Sequence, residues 1–81
     1  MAVEKLIIPE PILKIGSKGK QVVALQDALK LLHINIGTSD GDYGPKTASG
    51  IKELQTRKPK LTIDGIYNSE TRDLLESLFQ A

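Results

Sequence analysis

A chain of 81 residues with 11 basic and 10 acidic side chains, one histidine and no cysteine has room for one domain. Such a chain buries only about 60–65% of the surface its unfolded form exposes, so its stability margin is modest. A lone histidine and the lack of thiols exclude a two-histidine or thiolate metal site, and a net charge of +1 lacks the imbalance of a dedicated nucleic-acid binder.

Residues 1–11 read as a tail or linker and residues 12–81 as the domain. Pro9 and Pro11 bias the residues before them toward extended geometry. The apolar Leu6-Ile7-Ile8 packs along the domain edge or forms an edge strand. No signal-peptide pattern appears in this stretch, so the chain as it stands has no export route of its own. No apolar run approaches the roughly 18–20 residues of a membrane span.

The first helix follows Gly16-Ser17-Lys18-Gly19, with Ser17 as its expected N-cap. Val22, Leu25, Leu29 and Leu32 recur at helical spacing, Lys20, Asp27 and Lys30 fall opposite, and the helix ends near Leu32 or His33. A loop of turn-formers, Asn35 to Gly41, comes next. The second helix begins at Gly44-Pro45, because proline suits the first helical position. Its inward face is Thr47, Ala48, Ile51 and Leu54, and Lys58-Pro59 ends it. Gly50 costs about 1 kcal/mol relative to alanine in mid-helix, which points to close approach by another element. The third helix runs from Ser69 to Phe79 with Asn68 as cap, and Thr71, Leu74, Leu75 and Leu78 form its apolar face. The fold class is therefore all-α, a compact three-helix domain behind an extended N-terminal segment.

One repeat stands out. Asp40-Gly41-Asp42-Tyr43-Gly44-Pro45-Lys46-Thr47 returns 24 residues later as Asp64-Gly65-Ile66-Tyr67-Asn68-Ser69-Glu70-Thr71. The shared pattern is Asp-Gly-x-Tyr-x-x-x-Thr, a turn feeding a helix N-terminus. Glycine accepts positive φ, and aspartate bonds nearby backbone N–H groups.

Leu13-Lys14-Ile15-Gly16-Ser17-Lys18-Gly19 with Val22, Leu25-Gln26 and Leu29 resembles the opening of the peptidoglycan-binding domain 1 family. Asp40-Gly41 through Thr47, with Ile51, Leu54 and Gln55, resembles its central motif. Asp64-Gly65-Ile66-Tyr67 through Thr71, with Leu74-Leu75, is similar to its closing motif. The resemblance covers about residues 12–79. Leu54 stands where the family is commonly aromatic, Asn68-Ser69 where it usually has Gly-Pro, and the chain has no tryptophan. The resemblance implies a three-helix module appended to cell-wall hydrolases such as amidases, lytic transglycosylases and phage endolysins. It implies bacterial peptidoglycan as partner, no catalysis, no cofactor or metal, and action as a monomer.

Peptidoglycan offers sugar faces, amides and peptide carboxylates. The expected ligand-binding residues are Asp40, Gly41, Tyr43, Gly44, Lys46, Thr47, Arg57, Asp64, Gly65, Tyr67, Asn68 and Thr71. The tyrosines would stack on a sugar with wet hydroxyls. The helix N-termini at Gly44 and Asn68 would hold a carboxylate, and Lys46 and Arg57 would add attraction. In this picture each electropositive helix tip shares one recess with an aromatic ring. Structural explanations stand beside these roles. Turn chemistry accounts for the Asp-Gly pairs more directly than ligand contact, and the threonines serve the helix starts first. The tyrosines are balanced between packing under the loop and lining a groove. Gln26 and Gln55, at the ends of apolar faces, are expected to bond to a loop, His33 to sit partly exposed at a helix end, and Arg57 to Lys60 to form a solvated loop.

Rival functions are weaker. A structural or assembly module of a phage particle or secretion apparatus would retain the fold without wall binding. A helix-turn-helix DNA reader fits poorly with an acidic third helix, Glu70, Asp73 and Glu76. A glycosidase pair drawn from Asp40 with Asp64, or Glu53 with Asp42, would have to come from turn aspartates without a deep cleft.

Overall fold

Val22, Leu25 and Leu29 lie on one face and are fully buried, and this periodicity makes α1 (Lys20–Leu31) an amphipathic helix. In the computed structural model, which describes residues 8, 9 and 11–79, it is followed by α2 (Pro45–Gln55) and α3 (Ser69–Phe79). The expected all-helical, three-helix architecture is thus the observed one. The described residues add two isolated antiparallel bridges, Leu13 with Tyr67 and Lys18 with Asp42.

The start of α1 differs from expectation. Its N-cap is Gly19, which makes no side-chain cap bond. The Ser17 hydroxyl lies two residues too early and accepts the Lys14 N–H at 3.0 Å instead. The end of α1 is closed by backbone bonds: Ile34 N–H to the Leu29 carbonyl at 3.0 Å and His33 N–H to that of Lys30 at 2.9 Å. This is the Schellman arrangement, with His33 in the left-handed position at φ 65°. The reversal turns Ile34 and Ile36 inward, to 1% and 3% exposure, although they belong to a loop.

These isoleucines account for Gly50. A side-chain carbon there would run into Ile36 Cγ2 and lie 3.2 Å from Ile34 Cγ2. The loop therefore sits directly on α2, in a notch that only glycine leaves open. α2 ends at Gln55, with Thr56 as its C-cap, three residues before the Lys58-Pro59 stop read from the sequence. In α3, Thr71, Leu74 and Leu75 are buried as expected, but Leu78 is 40% exposed. Phe79, one position on, packs against the core in its place.

The segment before α1 runs along both turns of the repeat. Leu13 exchanges backbone bonds with Tyr67 at 3.0 and 2.9 Å. Gly16 N–H donates to the Tyr43 carbonyl at 3.1 Å, Tyr43 N–H to that of Ser17 at 3.0 Å, and Gly19 N–H to that of Gly41 at 2.9 Å. Ile8 and Pro9, within the expected tail, also pack on the domain: Pro9 is buried and Ile8 lies against the core. Leu6 and Ile7, the rest of the suggested edge strand, fall outside the described residues.

Helix propensity alone would make Gly50→Ala stabilising. The occupied notch reverses the sign, and the substitution is expected to cost about 1–3 kcal/mol through overpacking, measured as a lower urea midpoint at unchanged m-value.

Candidate functional site

The two Asp-Gly turns are built alike, each around a buried glutamine from the preceding helix. At the first, the Gln26 carboxamide oxygen accepts the Gly41 N–H at 2.9 Å. Its nitrogen faces Asp40 Oδ1 at 3.2 Å, the Asp42 carbonyl at 3.2 Å and Thr47 Oγ1 at 3.0 Å. At the second, the Gln55 oxygen accepts the N–H groups of Asp64 and Gly65, both at 3.0 Å. Its nitrogen faces Asp64 Oδ1 at 3.1 Å, the Ile66 carbonyl at 3.0 Å and Thr71 Oγ1 at 3.0 Å. Each aspartate closes its own turn by accepting the N–H two residues on, Asp42 and Ile66, at 3.0 Å. Both glycines sit at φ 75°, where a side chain would be strained. The glutamines thus bond to loops as expected, and they join Asp, Gly and Thr of each motif into one unit.

Of the two placements open for the tyrosines, packing under the loop is the observed one, which corrects their inclusion among the ligand-binding residues. Tyr43 and Tyr67 are 1% and 0% exposed, so neither ring offers a face to a sugar. Their hydroxyls are not wet. Tyr43 donates to the Gly65 carbonyl at 2.6 Å, and Tyr67 to the Pro9 carbonyl at 2.7 Å. Burial, and then the charge of Asp64, pushes the Tyr43 hydroxyl well above its ordinary pKa, so it remains a donor. The expected sharing of one recess by ring and helix tip does not occur.

The two helix tips also differ. Asn68 caps α3: its Oδ1 accepts the Thr71 N–H at 2.9 Å and the Thr71 hydroxyl at 3.0 Å. That side chain is committed to the helix, and Thr71 is fully buried. At α2 the matching residue is Gly44, which makes no side-chain cap bond, and Pro45 supplies no N–H. The backbone N–H groups of Lys46 and Thr47 have no partner in the described hydrogen bonds. A recess of about 430 Å³ opens there, lined by Asp40, Gly44, Pro45, Lys46 and Thr47, with Gln26, Ile36, Thr38 and Asp42.

Of the residues singled out from the sequence, Asp40, Gly44, Lys46 and Thr47 therefore come together. Gly41 is buried against the start of α1, with Val23 Cγ2 3.1 Å and the Gly19 carbonyl 3.3 Å from where its side chain would begin. Asp64 and Gly65 lie at a separate recess. Arg57 is exposed just past α2, 3.9 Å from the Glu53 carboxylate. Sequence reasoning missed Gln26, Ile36, Thr38, Asp42 and Pro45 as lining residues: Ile36 and Thr38 sit in a loop without periodicity, and the other three were read as structural or turn residues.

Residues 18–75 match the family described as "Putative peptidoglycan binding domain". The chain belongs to this family. It is similar to the N-acetylmuramoyl-L-alanine amidase CwlL of Bacillus licheniformis, at 39% identity over 83 aligned residues. That match covers 90% of this chain and 22% of the amidase, so the chain spans about a fifth of its relative's length. The fold is similar to the crystal structure of the SleB N-terminal domain, with a TM-score of 0.79 at 25% identity over 88% of this chain and 96% of that one.

The turns tie stability to pH. The Asp42 N–H, then the Gln26 carboxamide, holds the Asp40 carboxyl below its ordinary value of 3.8. The Ile66 N–H lowers that of Asp64, partly opposed by desolvation and aided by Gln55. Each carboxyl thus keeps its proton less readily when folded, so the unfolded chain binds more protons across this interval. The resulting stability is present above the ordinary aspartate range and is lost as pH falls through the folded values. The urea midpoint is expected to drop below about pH 4, and an Asp40→Asn/Asp64→Asn variant should show a shallower acid dependence.

Gln55→Leu strands two backbone N–H groups, one buried and one part-buried, where Gln26→Leu strands one that is buried. Each is expected to cost about 2–4 kcal/mol, with Gln55→Leu the greater loss in thermal or urea unfolding.

Proposed function

We propose that this domain is a non-catalytic module that holds an attached or partner cell-wall hydrolase on bacterial peptidoglycan. The observation that carries this reading is the span of the amidase match, nearly all of this chain against about a fifth of the relative. That proportion is what an appended module produces. Tethering to the substrate polymer raises the local concentration of an attached active site, typically into the millimolar range, so weak binding suffices. The absence of catalysis is supported by the side chains: His33 is exposed behind α1, and Asp40 and Asp64 are committed to their turns.

The recess at the tip of α2 is the proposed ligand site. Its free N–H groups and helix dipole suit the acyl and carboxylate oxygens of the polymer, with Lys46 adding positive charge. A second reading, a fold kept for assembly, is favoured by the burial of both tyrosines, which removes the aromatic platform. Purified insoluble peptidoglycan separates the two. The wall reading requires the chain to pellet with it at moderate salt, and protein left wholly in the supernatant would select the assembly role.

Gly44→Asn provides a site-specific test. It installs at α2 the cap that Asn68 gives α3, in a position with extended backbone and no heavy atom within 4 Å of the new Cβ. The variant is expected to gain a few tenths of a kcal/mol in stability and to lose most of its sedimentation with the polymer. Unchanged sedimentation would place the ligand elsewhere.

A further inference from the structure

A second recess of about 330 Å³ lies between the N-terminal segment and α2, lined by Lys14, Ile15, Ala48, Lys52 and Ile66 beside the Asp64-Gly65 turn. It arises from a difference between the two halves of the repeat. Val23 and Ala48 are each the fourth residue of their helix, and each faces the glycine of the turn that follows. Val23 Cγ2 stands 3.1 Å from the side-chain position of Gly41, filling that space. At Gly65 the neighbours are the Ala48 carbonyl and Lys52 Cε, each at 3.3 Å, and the smaller Ala48 side chain with its Cβ at 3.5 Å; the recess lies beyond that short side chain.

The lining is both apolar and cationic. Ile15 is 63% exposed, and Ile66 is half-buried next to it in the lining. Lys14 and Lys52 are exposed, and neither takes part in an ion pair among the described residues. The Lys52 stem lies over the turn, its Cε 3.3 Å from the Gly65 side-chain position, which leaves the ammonium group at the outer end of the stem. Asp64 is the third charged side chain of the lining; its Oδ1 accepts the Ile66 N–H and the Gln55 carboxamide and it pairs with neither lysine among the described residues, so two ammonium groups outnumber one carboxylate here. Two uncommitted ammonium groups over an apolar floor match a ligand with small aliphatic groups and free carboxylates. A neutral sugar has no use for the charges, and a large apolar ligand has none for the lysines.

The geometry points to this recess as a second subsite, distinct from the α2 tip, that takes the carboxylate-bearing peptide of peptidoglycan. The assignment rests on the wall-binding reading for its source of ligand. Lys14 and Lys52 bind the carboxylates, and Ile15 and Ile66 receive the methyl groups. Ala48 provides the room.

The test is an NMR titration of the 81-residue chain with acetyl-L-alanyl-γ-D-glutamate, and in parallel with its uncharged diamide. The acid is expected to shift the amides of Ile15, Ala48, Gly65 and Ile66, and the diamide to leave them in place. Lys14→Gln/Lys52→Gln should weaken the dissociation constant about tenfold or more. Ala48→Val should abolish the shifts, with the folded spectrum confirming that the core is intact. Equal binding of the diamide, shifts confined to residues 44–47, or no shifts with the acid would each overturn the subsite. Wild-type chain that pellets with peptidoglycan while the dipeptide moves nothing refutes the subsite alone. Chain that stays in the supernatant refutes the wall reading, and the subsite with it.

Discussion

The structure depends on two buried carboxamides. Gln26 and Gln55 each project from a helix into the turn that follows, and each satisfies backbone groups, an aspartate and a threonine at once. A buried amide left without partners would cost several times what one of these bonds contributes, so the turn and the helix behind it are specified together. The helices contact one another through a small apolar core, and a domain of this size has little such surface to spare. The polar units fix which turn geometry that core accepts.

The two units share one plan, and their differences account for the open surface. Asn68 closes the tip of α3 on itself, whereas Gly44 leaves that of α2 without a side-chain acceptor. Val23 packs on Gly41, whereas the smaller Ala48 packs on Gly65 at the edge of the second recess. In each pair the smaller residue creates the recess. The same turn occurs twice, and a smaller residue in each copy accompanies a concave site of different character. The one at Gly44 is polar and lies at a helix end. The one at Ala48 is apolar and flanked by lysines.

Much of this was legible in the residues. Helical spacing located all three helices, Pro45 and Asn68 marked two of their starts, and Gly50 announced a close approach. The misreadings share a cause. Ser17 has the chemistry of a cap, but Lys14 claims its hydroxyl and Gly19 begins the helix. The tyrosines looked amphipathic beside exposed turns, yet each phenol spans to a carbonyl far away in sequence, Tyr43 to Gly65 and Tyr67 to Pro9. Local patterning carries no record of such reach. Ile34 and Ile36 sit in a stretch with no period, and only the reversal after His33 turns them inward. At the end of α3, exchanging Leu78 for Phe79 on the core face is a shift of one residue in a final turn.

The Tyr43 phenol has a wider consequence. In elongated repeat proteins each unit leans on its neighbour, and ends can fray while the middle persists. Here the aromatic residue of one turn anchors in the carbonyl of the next, while the leading segment clamps both turns from outside. Neither half can melt first without stranding a phenol or a carbonyl in an oily interior. The duplicated motif is therefore built as a closed pair, whose halves are expected to open together.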